Sequence, residues 1–120
     1  MLLALILKPN DLTYTYGRIP NIPLNTNDAA EVLRFDLPED LSVEDFCAQF
    51  VDPVASLCNA ALDYGDIDFL GPSACASLVA RVPDRCAGGN LSPWICELYG
   101  KLLEYAKRAV KLETGVVIEL

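Results

Sequence analysis

Met1-Leu2-Leu3-Ala4-Leu5-Ile6-Leu7, stopped by Lys8-Pro9, is an unbroken apolar run with no alternation. A run this short and this uniform reads as a β-strand covered on both faces, and Leu2 to Leu7 is placed at the centre of a sheet. The same run fails as a leader or an anchor. It has no cationic region before it and no small-residue cleavage site after it, and a spanning helix needs about 20 apolar residues. A cytoplasmic location is therefore expected.

The strand at the start predicts a partner at the end, and Val116-Val117-Ile118 after Thr114-Gly115 supplies one. Between them the helical spacing recurs. Ser42-x-x-Asp45 resembles a capping box, followed by Val43, Phe46, Cys47 and Phe50 at helical intervals. Asp52 as N-cap and Pro53 at the first helical position open a second helix through Val54, Leu57, Cys58, Ala61 and Leu62, which Gly65 stops. Gly71-Pro72 starts a third, with Cys75, Leu78, Val79 and Val82 inward and Pro83 ending it, before an Asp84–Asn90 loop marked by Gly88-Gly89. Ser92-Pro93 opens the longest. Its inner stripe is Ile95, Leu98, Leu102, Ala106 and Ala109, and Glu97–Lys101 and Glu104–Arg108 are i,i+4 pairs on the outside.

Leu12 to Tyr16 is rich in β-formers and ends at Gly17, so it reads as a short second strand; Arg18 to Asn27, with Pro20 and Pro23, reads as a surface loop. Asp28 to Glu31 is open to a short helix, and Val32 to Leu37 alternates as a strand up to Pro38. The expectation is one α+β domain over residues 1–120: a small sheet holding the N- and C-terminal strands, packed with about four helices. At 120 residues and 52% hydrophobic composition, such a domain can bury a core without staples.

The charge is unevenly distributed. Phe35 to Ala80 holds nine of the seventeen carboxylates (Asp36, Glu39, Asp40, Glu44, Asp45, Asp52, Asp63, Asp66 and Asp68) and no Lys or Arg. Nine cations face the other eight acids elsewhere, so the net charge of −8 arises entirely in this block. Such a field draws a cationic partner and repels nucleic acid, and the cluster Lys107, Arg108 and Lys111 lies at a helix C-terminus, where cations are expected in any case.

Chemistry is poorly provided for. The chain has no histidine, so Ser-His-Asp and Cys-His arrangements are excluded and the commonest general base is missing. No phosphate-cradling glycine loop is present. The five cysteines are odd in number, form no C-x-x-C pair and lack histidine companions, which argues against zinc and against a disulfide framework. They read as reduced, largely core residues; a Cys86–Cys96 pairing stays open.

The sharpest local constellation is Asp63-Tyr64-Gly65-Asp66-Ile67-Asp68-Phe69, read as a helix-to-helix turn. As a calcium loop it fails, since Leu70 and Ser77 occupy ligand positions. As a binding epitope it combines acids for steering with Tyr64 or Phe69 as an aromatic anchor. The plainer reading is a solvated turn with Ile67 and Phe69 in the core. Asp63 in the last turn of a helix would oppose the dipole at a cost of about 0.3–1 kcal/mol, an inconsistency of the kind functional sites tolerate. Glu39, Asp40, Glu44 and Asp45 join the candidate partner-binding set, although acids in a first helical turn have a local explanation. Tyr14, Tyr16 and Trp94 read as core or sheet packing before interface.

In size, in its acidic block, in Asp66-Ile67-Asp68-Phe69-Leu70-Gly71-Pro72 entering a helix, and in the ending Tyr105-Ala106-Lys107-Arg108-Ala109 through Thr114-Gly115-Val116-Val117-Ile118-Glu119-Leu120, the chain resembles the small cytoplasmic immunity proteins that bacteria pair with contact-dependent or other polymorphic toxins. The resemblance implies a partner, commonly a nuclease toxin, whose basic groove is occluded by an acidic surface. It carries over no catalytic residue, metal or cofactor. Two alternatives stand beside it: a carboxylate-dependent metal hydrolase using Asp63, Asp66 or Asp68, and an acidic nucleic-acid mimic.

Overall fold

The computed structural model of the chain describes residues 1–15, 19–22, 28–87 and 89–120. Strand β1 (Leu2–Ile6) is central in a four-stranded antiparallel sheet of order β4-β1-β6-β5, with β4 at Ala30–Arg34, β5 at Ile67–Leu70 and β6 at Val116–Glu119. The fold is α+β, and the first and last strands are neighbours in one sheet. All five side chains of β1 are buried, in two alternating sets. Leu3 and Leu5 enter the helix-side core with Leu70, Val116 and Ile118. Leu2, Ala4 and Ile6 enter a second cluster with Ala30 and Val117, against Leu12, Ile22, Val32 and Phe69. That double coverage is why the run does not alternate.

Two residues each form strands β2 (Tyr14–Thr15) and β3 (Ile19–Pro20), an antiparallel ribbon. The expected strand from Leu12 is thus shorter, and part of the expected Arg18–Asn27 loop is a strand. Tyr16, Gly17 and Pro23 lie outside the described residues, as does Gly88. Strand β4 begins at Ala30, not Val32, because Leu5 and Ile6 pair with Glu31 and Ala30; it excludes a helix over Asp28–Glu31.

Helix α1 (Val43–Phe46) starts where Ser42 Oγ accepts the Asp45 N–H at 3.1 Å, as the capping pattern requires. It does not end before Asp52. The chain continues through a π-helical segment, Cys47–Val51, into α2 (Asp52–Cys58), so the two expected helices are one rod and Asp52 is helical rather than an N-cap. Pro53 has no N–H to give back, and the Gln49 carbonyl in the preceding turn instead accepts the Tyr99 hydroxyl at 2.7 Å.

Helix α3 (Pro72–Ala87) passes through Pro83 rather than stopping there, and the expected Asp84–Asn90 loop is correspondingly shorter. Helix α4 (Pro93–Leu112) is capped by Ser92 Oγ on the Ile95 N–H and closed by Glu113 in the left-handed region at φ 55°. Its predicted inner stripe, Ile95, Leu98, Leu102, Ala106 and Ala109, is buried. The outer charges pair differently from expectation: Lys101 bridges Glu104 at 3.3 Å, and Arg108 reaches Glu31 on β4 at 2.7 Å. Among the described residues there are therefore three helical rods, close to the four expected, all on one side of the sheet core.

Candidate functional site

The rod α1–α2 is fastened to the start of α4 at two points: Tyr99 on the Gln49 carbonyl, and Gln49 Oε1, which accepts the Ser92 N–H at 3.3 Å. This fastening sets Trp94 beside Phe46, with ring centroids 6.0 Å apart. Phe46 is the fully buried hub. It stacks on Phe50 at 5.6 Å, and Tyr64 meets its edge at 6.2 Å, while Trp94 also touches Phe35 at 6.0 Å. Offset and edge-to-face pairs of this kind are worth about 0.5–1.5 kcal/mol beyond their burial. Around the hub, Glu39, Asp40, Glu44 and Asp45 are all exposed.

Helix α2 ends at Cys58, with Asn59 left-handed at φ 52°, so Ala61, Leu62 and Asp63 lie beyond it. The expected dipole penalty on Asp63 therefore does not arise. Residues 63–66 form a turn held by the C-terminus: the Gly65 N–H donates to the Leu120 carbonyl at 2.6 Å and the Leu120 N–H to the Asp66 carbonyl at 2.9 Å. Gly65, at φ +97°, provides the conformation that turn needs. Asp63, Tyr64 and Asp66 are exposed, Tyr64 by 45%. Asp63 lies near enough to Cys47 to help raise its thiol pKa, after burial and Asp52.

The next residues are a strand, not a helix-to-helix turn. In β5, Asp68 pairs with Ile118 and Phe69 with Val117, so these two side chains leave opposite faces of the sheet. Asp68 is half-buried on the helix side, and its Oδ1 accepts the Phe69 N–H at 2.8 Å. It lies near Cys58, whose thiol is pushed up to about 12 by burial first, then by Cys75 and by Asp68. Phe69 covers Gly115 on the other side, within 2.5 Å of where a Cβ would stand. The heptad Asp63–Phe69 thus divides: Asp63, Tyr64 and Asp66 are exposed on the turn whose Tyr64 meets Phe46, whereas Asp68 and Phe69 serve the sheet. The Asp-Ile-Asp-Phe alternation was the available signal for a strand.

Trp94 stands between two open grooves. One, about 350 Å³, runs between Leu33 and Phe35 on the β4 side and Glu97, Leu98, Gly100 and Lys101 on α4. The other, about 330 Å³, is formed with Pro38, Asp40, Leu41, Ser92 and Pro93. Sequence reasoning placed Trp94 in packing and missed the grooves. Gly100 was the neglected clue: an interior helix glycine costs about 1 kcal/mol, and a Cβ there would meet nothing within 4 Å.

No family model, curated protein or solved structure matches this chain. Among the described residues no three His, Cys, Asp or Glu side chains are grouped to hold a metal ion, which removes support from Asp63, Asp66 and Asp68 as a shared metal site. No helix among them is long and apolar enough to cross a membrane. The five cysteines are unpaired thiols. The site combines exposed carboxylates, two partly exposed aromatic rings seated on a rigid hub, and concave apolar ground, a combination suited to binding a protein surface.

Proposed function

We propose that the chain is a non-catalytic binding protein that neutralises a cationic protein partner in the cytoplasm, acting as an immunity protein against a nuclease-type bacterial toxin. The observation that carries this reading is the double contact of Phe46 with Tyr64 and Trp94, a hub that links the exposed acidic segment leading into Phe46 with the exposed acidic turn that carries Tyr64. The acids steer the encounter through a long-range field, and the rings hold the complex by desolvated contact. Asp68 and Phe69 contribute to the sheet rather than to this surface. An acidic nucleic-acid mimic would use the same field but has no use for the aromatic anchors.

The test measures binding rates against a nuclease-type toxin domain, taken from the gene neighbouring this one where that gene encodes such a toxin. Replacing Asp40, Glu44, Asp45, Asp63 and Asp66 by their amides should slow association about tenfold at low salt and flatten its salt dependence. Tyr64→Ala should leave association unchanged and speed dissociation about tenfold or more. Unchanged rates in both variants would place the interface elsewhere, and a hydrolase activity lost with the same acids would replace binding by catalysis.

A further inference from the structure

We propose that the outer edge of β4, together with the groove beside Trp94, receives an extended Lys- or Arg-bearing segment of a protein partner as a fifth strand of the sheet. Strand β4 ends the order β4-β1-β6-β5, and among the described residues no strand pairs with its outer side. The ladder to β1 fixes which groups are offered there. Phe35 N–H donates to the Met1 carbonyl at 3.0 Å and Leu7 N–H to the Ala29 carbonyl at 2.8 Å, so the odd-numbered residues of this strand face β1. Antiparallel alternation then turns the N–H and C=O of Ala30, Val32 and Arg34 outward.

A strand added at that edge would set the residue opposite Leu33 on the same face as Leu33, toward α4. That is where the groove of about 350 Å³ lies, with Trp94, Leu98 and Gly100 across from Leu33 and Phe35. The seam between β4 and α4 is closed farther along by Glu31 and Arg108 at 2.7 Å, which holds strand and helix at a set spacing while leaving the Trp94 end open. Gly100 has no packing neighbour to explain the missing side chain, and its effect is to keep the groove wall low.

Charge selects the occupant. Lys101, in the groove wall, is taken up by Glu104 and Glu31 by Arg108, which leaves Glu97 in the wall and Asp36 just past Phe35 as exposed acids against one exposed cation, Arg34, on the strand itself. A second copy of this chain would bring another net charge of −8 to the same edge, so self-pairing is opposed. The segment that fits is cationic, extended over about five residues to match Ala30–Arg34, with one apolar side chain for the groove.

The inference rests on the cationic-partner reading only for the sign of the charge, and the two fail separately. Trp94 is the chain's single tryptophan, so its fluorescence reports the groove directly. The full chain is titrated with the blocked peptide Lys-Val-Lys-Leu-Lys-Val-Lys, with its Glu-for-Lys counterpart, and with the same peptide N-methylated on the backbone of its third and fifth residues, whose N–H groups would face β4 when the leucine stands opposite Leu33. Saturable binding of the first, at least tenfold tighter than either control, is expected. Val32→Pro removes an outward N–H at an edge position that tolerates proline, and Gly100→Leu fills the groove; each should weaken the peptide at least tenfold. Tyr64→Ala, away from the edge, should leave peptide binding intact even where it loosens the cationic partner. Equal binding by the N-methylated peptide or the Glu peptide, or indifference to both Val32→Pro and Gly100→Leu, would overturn the proposal. So would a dimer in sedimentation that Val32→Pro dissolves and the peptide does not.

Discussion

Gly115 and Gly100 are both glycines without positive φ, yet their surroundings make opposite demands. At Gly115 a Cβ would run into the Leu70 carbonyl oxygen and the Phe69 ring, so the chain there must be bare for β5 and β6 to pair. Gly115→Ala should therefore lose about 1–3 kcal/mol, read as a lower urea midpoint. Gly100→Ala meets nothing and should gain about 1 kcal/mol by helix propensity alone. Tyr99 is a third informative residue. Its hydroxyl satisfies the Gln49 carbonyl at 2.7 Å, and Tyr99→Phe leaves that acceptor without the bond at a cost of about 1–3 kcal/mol. Faster hydrogen exchange within residues 47–58 should accompany it, because the same bond ties the π segment to α4.

At the scale of elements, β6 carries more of the fold than its length suggests. Val116, Val117 and Ile118 are buried, and the strand bonds to β1 on one side and β5 on the other. Leu120 in turn holds the 63–66 turn through two backbone hydrogen bonds. Deleting residues 116–120 exposes both core layers and frees β5, so the truncated chain should show no cooperative unfolding transition by circular dichroism. An unchanged denaturant midpoint would contradict the sheet order. The rod α1–α2 and helix α4 matter differently: their fastening through Gln49 positions the aromatic hub, so local loosening there should reach the binding surface before it reaches the sheet.

The whole molecule sets one buried thiol, Cys75, and four half-buried ones on an acidic background. Burial pushes the Cys75 thiol from 9.0 up to about 11, against a backbone hydrogen bond that lowers it, and Cys58 is raised to about 12. A folded pKa above the unfolded one favours the protonated, folded form. The stability these thiols contribute is full below pH 9 and lost as pH rises through about 11 and 12. Under reducing conditions the urea midpoint should thus fall steadily above pH 9, the direction in which raised Tyr99 and Tyr105 also act. Cys75→Ala should have a lower midpoint at neutral pH but a shallower decline. A slope identical to that of the parent chain would show that Cys75 does not titrate with unfolding.

The sequence by itself determined what depends on local sterics and on how much apolar surface a segment must hide. An unalternating Leu2–Ile6 run had to be covered on both faces, Ser42 and Ser92 had to cap, Pro72 and Pro93 had to stand at helix starts, and the terminal strands belonged to one sheet. Only the tertiary structure decided where local stop signals are overridden. Helix α3 continues through Pro83 because its packing along α4 outweighs a loss of about 3 kcal/mol, and Pro53 is absorbed because a tyrosine fifty residues away supplies the donor for Gln49. Pairing with β6 made Ile67–Leu70 a strand, and a strand's alternation sends Asp68 and Phe69 to opposite faces. Which acids share a surface, and that Trp94 faces open grooves, follow from those long-range contacts, and no local pattern encodes them.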